Sequence, residues 1–197
     1  IALITGAPSY NTRLIKNHLN KGNNKIDHFV YRDKIYTPNI KNFWEKKYEL
    51  VIFDNNPVLS NSKKWDSLLR IFTKKLISHN SSFLIIPGPE INVNSINKYL
   101  KIIDLNVVES LTNNNRNNVW GFSDNWVQNF SINDSKMTFN DVNSLPPQNP
   151  AFKILEQSNS QNNIKFAEYK GLSPNSLLIL GEKKPIRYAV WNSIDLA

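Results

Sequence analysis

The chain has 197 residues, 40% hydrophobic and 20% charged, with 24 Lys and Arg against 16 Asp and Glu and a net charge of +8. That length buries a substantial core, and the composition excludes a disordered chain. There is no cysteine, which excludes a thiol nucleophile, thiolate metal sites and disulfides, and no apolar run approaches the roughly 18 residues of a membrane helix.

The opening residues set the pattern. Ile1-Ala2-Leu3-Ile4 is a short apolar run, broken by Thr5-Gly6-Ala7-Pro8-Ser9. A helical stripe of Leu14, Ile15, His18 and Leu19 follows at once. This predicts a strand over residues 1–5, a tight turn, and a helix over residues 9–21 with Ser9 as N-cap. Gly22-Asn23-Asn24 ends that helix. A second strand is expected over residues 26–31 and a short helix over residues 40–46. A third strand follows at residues 50–53, closed by Asp54-Asn55-Asn56-Pro57.

The clearest helix carries Trp65, Leu68, Leu69, Phe72, Leu76 and Ile77 at a 3.6-residue spacing. A fourth strand, residues 83–86, stops at Pro87-Gly88-Pro89, and a fourth helix places Ile96, Tyr99, Leu100 and Ile103 on one face. Strands one, three and four are unbroken apolar runs, the mark of strands buried on both faces of a parallel sheet. Right-handed crossovers then give an α/β, doubly wound, mainly parallel, flavodoxin-like three-layer sandwich.

Beyond residue 105 the pattern changes. Val107-Val108 and Val119-Trp120-Gly121-Phe122 are short β-like pieces, and residues 129–143 read as irregular. Leu145-Pro146-Pro147 and Asn149-Pro150 mark an extended connection. Further strands are expected at residues 166–169, 177–180 and 187–191. These are too few for a separate core. Residues 1–197 therefore read as one domain, a βαβ core over 1–105 and a β-rich extension of the same sheet over 106–197, expected to belong to a longer protein.

The basic pairs Lys46-Lys47, Lys63-Lys64, Lys74-Lys75 and Lys183-Lys184 are scattered and not interleaved with aromatics. They read as a solvated surface, and nucleic acid is not an expected partner. The many asparagines, with a run from Asn113 to Asn118 broken only by Arg116, read as codon bias and loop residues.

Thr5-Gly6-Ala7-Pro8-Ser9-Tyr10 followed by Arg13-Leu14-Ile15-Lys16-Asn17-His18-Leu19 resembles the opening "G-x-P-S-[aromatic]" segment of a glutamine-amidotransferase-like domain. That domain occurs in bacterial membrane proteins, often beside a von Willebrand A domain. Tyr48-Glu49-Leu50-Val51-Ile52-Phe53-Asp54 resembles the family's third strand, Leu145-Pro146-Pro147 a later motif, and Pro185-Ile186 the approach to its closing strand. The family's Gly-Lys-Gly turn in that strand is absent. The resemblance implies a class I amidotransferase-like fold, a place on the extracytoplasmic (periplasmic) side of a membrane, and partners among other domains of the same membrane-anchored protein, with no direct insertion of this segment.

True amidotransferases carry a Cys on the elbow after a core strand. The matching turn here, Ile86-Pro87-Gly88-Pro89-Glu90, has no Cys, Ser or Thr. A non-catalytic interaction or structural domain, not an enzyme, is the expectation. The alternative is a small-ligand or sugar-binding domain using the carboxyl ends of the parallel strands.

The candidate ligand residues are Gly6, Ser9, Asp54, Asn55, Gly88 and Glu90, because doubly wound sheets bind ligands at these strand ends. The single Gly of the first turn falls short of a dinucleotide or P-loop fingerprint, so no cofactor is expected, although the first helix's N-terminus could take an anion. Asp54 and Glu90 could bind a metal or serve as acid and base, or are ordinary loop caps. Asp66 reads as a helix-surface charge, His18 as a packed residue, His79 as a cation at a helix C-terminus. The separation of His18, His28 and His79 argues against zinc. A Ser9–His18–Asp54 triad lacks the nucleophile elbow. Trp120, Phe122 and Trp126 suit sugar stacking, a partner interface or a satellite core.

Overall fold

The computed structural model describes residues 1–110, 120–122, 148–156, 163–169 and 175–194. The elements in chain order are β1 (Ala2–Thr5), α1 (Tyr10–Lys21), β2 (Asp27–Arg32), β3 (Ile35–Thr37), α2 (Lys41–Glu45), β4 (Leu50–Asp54), α3 (Ser62–His79), β5 (Ser82–Ile86) and α4 (Val93–Leu100). A 3₁₀ turn over Lys101–Ile103 follows, then β6 (Leu105–Ser110), β7 (Trp120–Phe122), β8 (Phe152–Glu156), β9 (Asn163–Tyr169), β10 (Ser176–Lys183) and β11 (Ile186–Trp191).

Among the described residues the main sheet runs β3-β2-β1-β4-β5-β11-β10-β9-β7. The five central strands β2, β1, β4, β5 and β11 are parallel neighbours. The flanking pairs β2–β3, β11–β10, β10–β9 and β9–β7 are antiparallel. Parallel and antiparallel pairings are thus equal in number, and the sheet is large and mixed around a parallel centre. The second half joins it only in part: β6 and β8 pair with each other in a separate two-stranded sheet.

The pleat sorts each central strand between two faces. Ala2, Ile4, Val51, Phe53, Phe83 and Ile85 meet Trp65, Phe72 and Leu76 of α3 and Ile96, Tyr99 and Leu100 of α4. Leu3, Ile52, Leu84 and Ile86 point the other way, to Ile15 and Leu19 of α1. Unbroken apolar runs are required because both faces are covered. Phe53 is the hub of the larger core, with ring centroids 5.0–5.2 Å from Trp65, Phe72, Phe83 and Tyr99. The β6–β8 pair closes the same core through Leu105, Val107, Phe152 and Ile154.

Local chemistry sets the boundaries. Asn80 ends α3 in the left-handed region, φ 53°, as Asn often does past a helix. Asn92 caps α4 by accepting from Ser95 N–H at 2.9 Å. Ile103 falls in the 3₁₀ turn after α4 rather than on the helix itself. Two expected stripe residues turn outward: His18 and Ile77 are exposed, because α1 and α3 each cover the sheet with a narrower face than their apolar residues span. Residues 129–143 and Leu145-Pro146-Pro147 lie outside the described residues.

The β2–β3 hairpin was not expected from the sequence. Its turn uses Asp33 and Lys34, both at positive φ, where no Gly or Asn signals the bend. Tyr36 of β3 fastens the hairpin to the core. Its hydroxyl donates to Asn56 Oδ1 at 2.9 Å and accepts from Trp65 Nε1 at 2.7 Å and Asn61 Nδ2 at 3.0 Å. Lys75 of α3, buried, donates to the carbonyls of Trp44 and Lys46 at 3.2 and 2.5 Å, stapling the end of α2.

Tyr36→Phe keeps the ring and strips the acceptor from the buried Trp65 N–H. An orphaned buried donor costs about 1–3 kcal/mol, so urea denaturation should show a loss of that size with an unchanged m-value.

Candidate functional site

The carboxyl ends of β1, β4, β5 and β11 come together at one edge of the sheet. Two residues of the turn after β4 build the floor there. Asn55 is fully buried and sits at φ 45°, a left-handed conformation that Asn tolerates better than other non-glycine residues. From it Nδ2 donates to Ala7 O at 3.0 Å, Oδ1 accepts from Glu90 N–H at 3.2 Å, and its own N–H donates to Ile86 O at 2.9 Å. One asparagine thereby ties the turns after β1 and β5 to the end of β4.

The glycines follow from this. A Cβ on Gly6 would lie 2.3 Å from Asn55 O, and one on Gly88 would lie 2.5 Å from the Asn55 side chain. Both are glycine because Asn55 and Asn56 occupy the space beside them. Neither opens a cradle for a phosphate, and the Pro87–Glu90 turn is seated on Asn55 rather than presenting a side chain.

Asp54 is buried under the first turn of α1. Its Oδ2 accepts from Thr5 Oγ1 at 2.9 Å and Thr12 Oγ1 at 2.6 Å, and its Oδ1 has no partner among the described residues. Burial pushes the carboxyl above its usual range, opposed by the two hydroxyl donors. Asp54 thus fills the place where an anion at the α1 N-terminus was expected.

Thr12 also accepts from Ser9 N–H at 2.9 Å, and the Ser9 side chain faces the Thr12 N–H in return, a capping box at the start of α1. His28 of β2 reaches Thr5 Oγ1 through Nε2 at 3.0 Å. Since that hydroxyl donates to Asp54, the ring must donate to it, which assigns the Nε2–H tautomer. Burial first, then Lys16 and Arg32, push His28 down to about 4. The result is a chain from His28 through Thr5 to Asp54, in which His28 is the member that no sequence pattern singles out.

The other candidates scatter. His18 is exposed on α1 and takes no part, so the Ser9–His18–Asp54 triad is not assembled. Glu90 is exposed beside the Asn55 amide. Asp66 pairs with Lys98 of α4. His79 is held below its usual range by burial and then by Lys75 and Lys47, which disfavours the cation expected at that helix end. Trp120 is buried with Ala167, Tyr169 and Leu177 in a satellite cluster and presents no open face to a sugar. Phe122 is placed in β7 beside Ala167 by backbone register, and Trp126 lies outside the described residues. No cluster of three or more potential metal ligands occurs among the described residues, and none of their helices is long and apolar enough to cross a membrane.

Asparagine supplies the rest of the frame. At the end of β11, Asn192 Oδ1 accepts from Ala151 and Phe152 N–H, both at 3.2 Å, while Nδ2 donates to Phe152 O at 2.7 Å and Ser176 O at 3.1 Å. Asn11 Nδ2 donates to Ile194 O at 2.6 Å, linking α1 to the same strand end. Composition alone marked these residues as bias. For Asn55, Asn56 and Asn192 the position just after an apolar strand run was the available signal.

No family model and no curated protein matches the chain. Among solved structures it is similar to the crystal structure of Agd3, described as a novel carbohydrate deacetylase. The match covers 97% of this chain and 28% of that one, at 9% identity and a TM-score of 0.51. The chain therefore spans little more than a quarter of that protein's length, and the likeness is one of fold. It overturns the expectation that this scaffold is not an enzyme: the same fold, over nearly the whole chain, lies within a carbohydrate-acting enzyme that has been solved.

Two outcomes follow from the geometry. Asn55→Ala removes two buried side-chain hydrogen bonds and leaves alanine in the left-handed region, a loss of about 2–4 kcal/mol measurable by chemical denaturation. For His28 the folded value, about 4, lies below the unfolded value of 6.5, so the unfolded chain binds more protons between them. Its contribution to stability is complete above pH 6.5 and is lost as pH falls toward 4. His28→Gln, which keeps a donor to Thr5, should hold its melting temperature better than the wild type across that window.

Proposed function

We propose that the chain is a saccharide-binding domain of a carbohydrate-acting protein, with its site at the carboxyl ends of β1, β4, β5 and β11. The observation that carries this reading is the strand-end edge itself, where Asn55 ties together the turns after β1, β4 and β5 and where sheets of this kind bind ligands. At that edge Asp54 Oδ1 and Asn56 Nδ2 lack partners among the described residues. A native fold rarely leaves buried polar atoms unpaired.

The fold shared with a carbohydrate deacetylase supports the same ligand class. Asp54, with its raised carboxyl and its link to neutral His28, is the group best suited to hold or pass a proton at this edge. The flavodoxin-like, three-layer description of the scaffold belongs with this proposal. Helices on both faces and the order of the parallel strands, second-first-third-fourth-fifth in the chain, favour it.

The test is a panel of oligosaccharides assayed by thermal shift and calorimetry, with release of acetate followed on acetylated members. Ser9→Ala should weaken binding about tenfold, as expected for one hydrogen bond. No thermal shift from any saccharide at about 10 mM would reject the reading.

A further inference from the structure

We infer that this strand-end site takes an acidic polysaccharide, held by a cationic and apolar rim that the fold assembles from three separate loops. The inference rests on the saccharide reading above and narrows its ligand.

The rim is built by topology. The first turn of α1 follows β1, the first turn of α3 follows the turn after β4, and the β2–β3 hairpin bends beyond the end of β2. All three lie at the carboxyl ends of the parallel strands. Each presents an exposed apolar side chain beside exposed cations. Tyr10 (62% exposed) stands with Arg13, Ile35 (62%) with Arg32 and Lys34, and Leu59 (77%) with Lys63 and Lys64. Five large apolar side chains are exposed among the described residues, and three of them are here.

These five cations form no ion pair among the described residues. The carboxylates exposed on the same loops are Asp33 and Glu90. Asp66, in the second turn of α3, is engaged by Lys98.

The placement of Lys63 and Lys64 works against local stability. They lie in the first turn of α3, where the helix dipole disfavours cations, and no acidic residue occupies the first turn of α1, α3 or α4. The N-cap Asn61 does not offset this, because its side chain is spent on Val58, Tyr36 and Asn56. A local conflict of this kind marks a surface shaped by something other than folding.

The loops are also braced. Tyr31 OH donates to Ser60 O at 3.3 Å, and Tyr36 joins the hairpin to Asn56, Asn61 and Trp65. The hairpin and the loop bearing Leu59 are therefore held in fixed relation before any ligand arrives. Uronate carboxylates match the guanidinium and ammonium groups. The apolar faces of pyranose rings match Tyr10, Ile35 and Leu59.

The experiment compares binding of the intact chain to polygalacturonate and to dextran, with phosphatidylglycerol vesicles and duplex DNA as competitors. Polygalacturonate should bind at least about tenfold tighter than dextran near 50 mM salt, with the advantage shrinking by about 300 mM as screening sets in. Lys63→Gln/Lys64→Gln should weaken polygalacturonate binding about fivefold or more while the melting temperature holds or rises, since the dipole conflict is relieved. Tyr10→Ser should weaken both glycans. Equal binding of dextran and polygalacturonate overturns this inference and leaves the saccharide reading standing. Binding of neither glycan overturns both. Tighter binding of vesicles or DNA than of polygalacturonate reassigns the rim and also overturns the inference.

Discussion

Everything at the working edge of this molecule depends on one side chain held in one unusual backbone conformation. Asn55 is buried at positive φ, and its carboxamide bonds the turn after β1 on one side and the turn after β5 on the other. Parallel strands share no hairpins, so their carboxyl ends have no local reason to stay together. A short amide with a donor and an acceptor supplies that reason. It also dictates the neighbours, since Gly6 and Gly88 are the residues that let two backbones pass against it.

The same solution recurs around the edge. Asn56 and Asn61 gather around the Tyr36 hydroxyl, Asn175 and Asn192 hold Phe152 and its neighbours, and Asn11 reaches the end of β11. Buried amides are costly unless paired, and most of these are well paired. The frame they build is stiff, and within it Asp54 Oδ1 and Asn56 Nδ2 are buried without a partner among the described residues. The carboxyl of Asp54 shows what such a frame does to chemistry. Two hydroxyl donors favour its charge, burial opposes it more strongly, and His28 is kept neutral one hydroxyl away.

The legible part of the sequence was the part governed by short-range repetition. Apolar runs of four or five residues marked β1, β4 and β5, and a 3.6-residue stripe marked α3. Both are direct consequences of burial on one or two faces. The β2–β3 hairpin escaped notice because Asp33 and Lys34 make its turn without the usual glycine. The separate β6–β8 sheet escaped because pairing partners some 45 residues apart leave no local trace. Of the site, Asp54 and Ser9 were visible from their position after apolar strands. His28 was invisible because its partner, Thr5, lies on a neighbouring strand.

The sequence by itself determined an α/β chain with buried parallel strands, free of thiol chemistry, whose elbow after β5 carries no nucleophile. These are properties of composition and of neighbouring residues. The tertiary structure alone decided that the sheet is half antiparallel, that Trp120 is core rather than platform, and that lysines and arginines scattered along the chain lie toward the same ends of the parallel strands. Charge is long-ranged in space and unordered in sequence. Where Arg13, Arg32, Lys34, Lys63 and Lys64 would lie depended on which strands became neighbours, and that was settled by packing across the whole sheet.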